Sequence, residues 1–113
     1  MRFFVFLLCF WILPVLAQAF LPGTDDIPLM NGLTQVEETA SFDSPAERML
    51  LVSAQTKLSS QKVLQFYRES LANLGWIEKE KGKFERGEDS FSIEISSKGP
   101  MRQIQFRLSQ RNP

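Results

Sequence analysis

The side chains able to do covalent or acid–base chemistry are few in this 113-residue chain, and their spacing decides what they are for. Histidine is absent, and the single cysteine, Cys9, lies in the apolar N-terminal run. The usual general base near neutral pH, the thiolate nucleophile and the commonest zinc ligands are therefore missing from everything after residue 19. A Ser–Lys pair is the remaining nucleophilic option, either Ser59 with Lys62 or Ser60 with Lys57. Both pairs stand where a helical pattern starts, and there a serine hydroxyl more simply caps the first free N–H groups. Paired carboxylates occur at Asp25-Asp26 and Glu88-Asp89, a combination that serves acid–base work or calcium. Neither has the alternating oxygen-ligand spacing of a calcium loop, and both lie near glycines, so they read as solvated turn charge. No Gly-rich phosphate loop and no Gly-x-Ser-x-Gly elbow is present. The expectation is no enzyme: no catalytic residue, no cofactor and no metal.

Phe106-Arg107 beside Phe91 superficially fits a single-strand nucleic-acid platform. Those two phenylalanines, however, share strand parity with Ile93 and Ile104, which places them in a core. No nucleic-acid partner is expected.

The least ordinary segment is Asp25-Asp26-Ile27-Pro28-Leu29-Met30-Asn31-Gly32-Leu33. Proline and glycine interrupt any regular period there, while Ile27, Leu29, Met30 and Leu33 ask for burial. Three readings stand: the arm folds over its own sheet and closes the core, it stays disordered, or it docks a partner through those four side chains. They are the candidate partner-binding residues.

The N-terminus bears on compartment. Arg2 is followed by Phe3 to Leu16 without a charged side chain, with Pro14 near its end, and then by the Ala17-Gln18-Ala19 exit, the order of a cleavable signal peptide over residues 1–19. An uncleaved anchor is the alternative; it would want roughly 20 apolar residues in helical register. A lipoprotein reading of Cys9 fits poorly, because Phe10-Trp11-Ile12-Leu13 continue the apolar run beyond it. Cleavage after Ala19 leaves 94 of the 113 residues, beginning at Phe20, without a thiol and without an Asn-x-Ser/Thr site. A bacterial periplasmic or secreted protein is the resulting expectation, with no membrane span in the mature chain.

The elements that must position all this follow from period and punctuation. Residues 20–34 read as an irregular apolar arm and 35–113 as one α+β domain. Strands are predicted at Gln35 to Asp43 and Arg48 to Thr56, joined by a turn at Ser44-Pro45. In the first, Val36, Ala40 and Phe42 share one parity. Ser59-Ser60 offers an N-cap to a helix over Gln61 to Leu74, whose Val63, Phe66, Tyr67, Leu71 and Leu74 fall at steps of three and four, with Gly75 as terminator. Extended segments follow at Trp76 to Glu80, Lys83 to Arg86, Ser90 to Ser96 and Met101 to Ser109, the last two clearly alternating. The predicted order is β-β-α-β-β-β-β, one amphipathic helix packed on a mainly antiparallel sheet.

Charge cancels overall but not locally. Phe20 to Glu47 carries six acids and no base, and after Glu94 only Lys98, Arg102, Arg107 and Arg111 are charged. The plain expectation is that the two ends of one sheet complement each other.

The series Asp26-Ile27-Pro28-Leu29-Met30-x-Gly32-Leu33, Phe42-Asp43-Ser44-Pro45, Phe66-Tyr67 and Leu71 with Leu74-Gly75-Trp76 resembles a group of small exported alphaproteobacterial proteins. That resemblance implies no activity, ligand or catalytic residue. The functional expectation is a non-enzymatic periplasmic module that binds an envelope protein or assists envelope assembly. The alternative is a binder of a small apolar or lipid-like ligand between helix and sheet.

Overall fold

The computed structural model describes residues 19–112. The expected signal peptide lies, except for Ala19, outside the described residues. The elements follow in the order β1 (Leu33–Asp43), β2 (Glu47–Thr56), α1 (Ser60–Asn73), β3 (Ile77–Glu80), β4 (Lys83–Arg86), β5 (Asp89–Lys98) and β6 (Met101–Arg111). All strands belong to one antiparallel sheet ordered β1-β2-β6-β5-β4-β3. This is the α+β architecture that the sequence predicts.

Topology explains where the core sits. The link from β2 to β3 must cross from one side of the sheet to its far edge, and α1 makes that crossing over the face formed by β6, β5 and β4. Alternating residues of β2, β5 and β6 point at the helix: Val52, Phe106 and Ile93 stand in one register row, Leu50, Leu108 and Phe91 in another. All six are buried. From α1, Val63, Leu64, Tyr67 and Leu71 close down on them.

Local chemistry fixes both helix ends. The Ser59 hydroxyl accepts the Lys62 N–H at 3.2 Å, satisfying one of the unpaired first-turn donors. At the other end Gly75, at φ 91°, lets its own N–H reach the Ala72 carbonyl and the Trp76 N–H reach that of Leu71. This doubly bonded reversal ends the helix at Asn73 and swings Trp76 into the core. Leu74, expected on the buried helix face, is instead the C-cap and 37% exposed. The buried stripe stops at Leu71, and Trp76 takes the position Leu74 was assigned.

β1 departs from its expected pattern. Its pairing with β2 slips between Thr34 and Glu37 and again between Glu38 and Ala40, each slip inserting one extra residue. At the first, Gln35 takes a left-handed φ of 51°, a conformation uncommon outside glycine. Because directly opposed residues share a face, Glu38 lies on the inner face with Val52, whereas Ala40 and Phe42 lie on the outer face with Leu51 and Met49. Val36, by contrast, packs against the core. Val36 and Phe42 therefore do not share a face, and Phe42 is 62% exposed.

The charge distribution also resolves differently. β2 lies between acidic β1 and basic β6, so those two strands do not meet. Among the described residues, the ion pairs of the 20–47 stretch reduce to Asp26 with Arg86.

Candidate binding surfaces

Three elements position the arm: the helix, the sheet and the arm's own turn. Leu21 N–H donates to the Ile27 carbonyl, Thr24 N–H to that of Leu21, and Leu29 N–H to that of Ala19; Phe20 bridges Pro28. The small loop so formed drives Leu21 and Ile27 into the core at 1% and 0% exposure. Each such burial is worth about 1.5–3 kcal/mol of transfer free energy.

Polar groups from every layer then hold the loop down. The Tyr67 hydroxyl donates to the Pro28 carbonyl at 2.9 Å and accepts the Met30 N–H at 3.3 Å. Burial raises the Tyr67 hydroxyl above the usual phenol range, only partly offset by the Met30 N–H. It therefore stays protonated and donating. Buried Thr56 donates to the Gly32 carbonyl at 2.9 Å and accepts the Leu58 N–H at 3.0 Å. Arg48 donates to the Gly23 carbonyl at 2.7 Å. Arg86 lies 4.5 Å from the Trp76 ring centroid, donates to the Leu74 carbonyl at 3.0 Å and meets Asp26 at 3.2 Å, so one guanidinium ties arm, helix end and sheet together.

The four candidate partner-binding residues take two kinds of place. Ile27 is fully enclosed, and Leu29, Met30 and Leu33 are half-buried against the core. What they present outward is the uncovered half of those three side chains.

Around Tyr67 the space between helix and sheet is filled by aromatic rings. Tyr67 packs edge-on against Phe106 at 5.4 Å between ring centroids and lies 6.5 Å from Phe91, which stacks on Phe106 at 5.9 Å. Open hollows lie on the outer face of the sheet, about 590 Å³ along β5 and β6 beside Glu94, Ser96, Gln103 and Gln105, and others at the margins of the helix. A cleft of about 470 Å³ opens between the arm and the C-terminal end of α1, walled by Phe20, Pro28 and Leu74 with Asp25, Asp26, Ser70 and Asn73. A smaller one of about 220 Å³ lies beneath the first turn of α1, floored by Leu64, Ile93 and Ile95.

Exposed large apolar side chains are the features that pattern reading missed. Phe42 and Ile77 are 62% and 60% exposed, at the two edges of the sheet, and Phe20 and Leu74 flank the larger cleft. Phe42 adjoins Met49 across the strand pair, with Ala40 opposite Leu51 one row away, making an outer-face apolar patch. Its sequence signal was the polar run Glu37-Glu38-Thr39 between Val36 and Ala40, where no alternation is possible. The Ser59/Lys62 pair resolves to the helix cap, Asp26 to the partner of Arg86, and Glu88 to that of Arg111 at 3.4 Å. Among the described residues no helix is long and apolar enough to cross a membrane.

No curated protein and no solved structure matches the chain. A family model described as START domain-like matches residues 33–105, from the start of β1 into β6. With that span covering well over half its length, the chain belongs to the START domain-like family.

Proposed function

We propose that the protein is a non-enzymatic, exported module of the bacterial envelope that binds another protein along β1 and the apolar patch beside it. The supporting observation is the contrast between a helix–sheet interior filled by Tyr67, Phe91 and Phe106 and a Phe42 left 62% exposed at the opposite face of the edge strand. A phenylalanine on an open sheet edge is an aggregation hazard unless something covers it. The partner's chemistry follows from the strand. Glu37, Glu38 and Asp43 line β1 and lie in no ion pair among the described residues, so a second copy paired edge to edge would set like charges together. A partner surface with an apolar centre and cationic rim fits. The uncovered halves of Leu29, Met30 and Leu33 lie on the helix-facing side, toward the other end of β1, and form a separate apolar surface.

A photo-crosslinker at position 42 should trap one envelope protein in living cells, and the same group at position 79 should not. Loss of that product in Leu29→Ser/Met30→Ser would bring the arm into the interface. Equal products from positions 42 and 79 would end the reading.

Family membership favours a second reading, an apolar or lipid-like ligand held beside the helix, with the cleft between Phe20, Pro28 and Leu74 as its entrance. Solvent extraction of protein purified from its native envelope, followed by mass spectrometry, decides it: a stoichiometric apolar compound supports a ligand, and its absence leaves the protein partner.

A further inference from the structure

Net neutrality conceals a strong separation of charge along the strands. One register row joins Leu33, Thr56, Arg102 and Ser97, and beyond it lie the β5–β6 turn and the β2–α1 connection. The segments 31–36, 54–62 and 95–104 at this end contain Lys57, Lys62, Lys98 and Arg102 and no acid, and the β3–β4 turn beside the start of α1 adds Lys81 with Glu80. The opposite end, with the arm's turn, gathers Asp25, Asp26, Asp43, Glu47, Glu88 and Asp89 around Arg48, Arg86 and Arg111. Among the described residues every ion pair uses an arginine, so Lys57, Lys62 and Lys98 have no carboxylate partner. All three are exposed, as are Gly99 and Pro100 at the hairpin turn, while Arg102 is half-buried and donates to the Leu58 carbonyl at 3.3 Å.

We propose that this lysine-bearing end is a docking surface for an anionic phospholipid bilayer. The cations are spread over a hairpin, a connecting loop and a helix start rather than converging on one point, which suits a charged plane better than a single phosphate. Six of the thirteen acids gather at the far end, so an anionic leaflet attracts one end, repels the other and orients the molecule. Pro100 and Met101 stand at the extremity of the β5–β6 hairpin, where shallow insertion adds apolar contact to the charge. The surface is separate from the Phe42 patch, which lies at the acidic end, so the inference does not rest on the protein-partner reading.

The test is co-sedimentation of the full chain with phosphatidylcholine vesicles containing or lacking phosphatidylglycerol. Any contribution from the apolar run 3–16 is common to both vesicles and cancels in the ratio. Binding should favour the anionic vesicles and fall with added salt. Lys57→Gln/Lys98→Gln should lower that preference about 25-fold, about fivefold per charge. Lys79→Gln/Lys83→Gln, equal in charge but on β3 and β4, should change it by less than about threefold. Unaltered melting curves are expected for both pairs, because the four lysines are exposed. No preference for anionic vesicles, equal losses in both pairs, or equally tight binding of inorganic phosphate or single-stranded nucleic acid would overturn the proposal.

Discussion

The hydroxyl of Tyr67, in the middle of the helix, donates to the carbonyl of Pro28, in the middle of the arm, at 2.9 Å and across 39 residues of sequence. Helix and arm are thereby joined through the Tyr67 hydroxyl, which also accepts the Met30 N–H. Tyr67→Phe removes it while keeping the ring, and leaves the Pro28 carbonyl and the Met30 N–H without their partner. The expected cost is about 1–3 kcal/mol in urea denaturation, with faster amide exchange confined to residues 27–33. An unchanged exchange pattern would show that the apolar contacts of Leu21 and Ile27 alone hold the arm.

Tyr67 also sets an alkaline limit. Its folded pKa is raised above the unfolded value of 10.0 by burial, so the contribution is fully present below pH 10. As pH rises further, the unfolded chain releases the proton while the folded one retains it, and stability falls by about 1.4 kcal/mol per pH unit. Tyr67→Phe should lack this component of the slope. Parallel pH profiles for the two proteins between pH 10 and the folded pKa would contradict it.

Leu71 and Leu74 separate the buried helix stripe from its end. Leu71→Ala, at a site with 0% exposure, should cost about 2–5 kcal/mol. Leu74→Ala, at the C-cap, should cost less than about 1 kcal/mol. Thermal unfolding of the pair distinguishes them. Equal losses would mean that the apolar face runs on through the cap.

Processing after Ala19 is a further expectation, read as an intact mass beginning at Phe20 in the envelope fraction. It has a structural consequence, because Leu29 N–H donates to the Ala19 carbonyl at 2.9 Å. Cleavage there removes that acceptor, so Leu29 should show faster amide exchange in the processed chain than in the unprocessed one. A membrane-bound species retaining residues 1–19 would refute the cleavage.

Gly82 carries the tightest backbone approach in the β3–β4 turn. A Cβ there would lie 2.8 Å from the Ile93 carbonyl oxygen, at a φ of 77° that side chains disfavour. Gly82→Ala should destabilise by more than about 1 kcal/mol, whereas Gly87→Ala, with open space around it, should pay only the left-handed backbone strain. Equal melting temperatures for the two would exclude the close approach as the cause.

The sequence by itself determined the elements, their order and most of the core. Periods of two at Phe91–Ile95 and Ile104–Leu108 and of three to four from Val63 to Leu71 are local facts, and so are the Ser59 cap and the Gly75 stop. They survive because burial of one face needs nothing beyond the repeat. Tertiary structure alone decided the face of Phe42, since two one-residue slips in β1 are set by what β2 offers opposite, not by the composition of β1. It also decided that the arm lies against Tyr67, a hydroxyl whose partner is 39 residues away and leaves no spacing signal. Charge followed the same rule. Lys57, Lys62, Lys98 and Arg102 are scattered over 46 residues of a neutral chain, and only the register that aligns Thr56, Arg102 and Ser97 gathers them at one end, because position in a sheet is fixed by pairing and not by sequence distance.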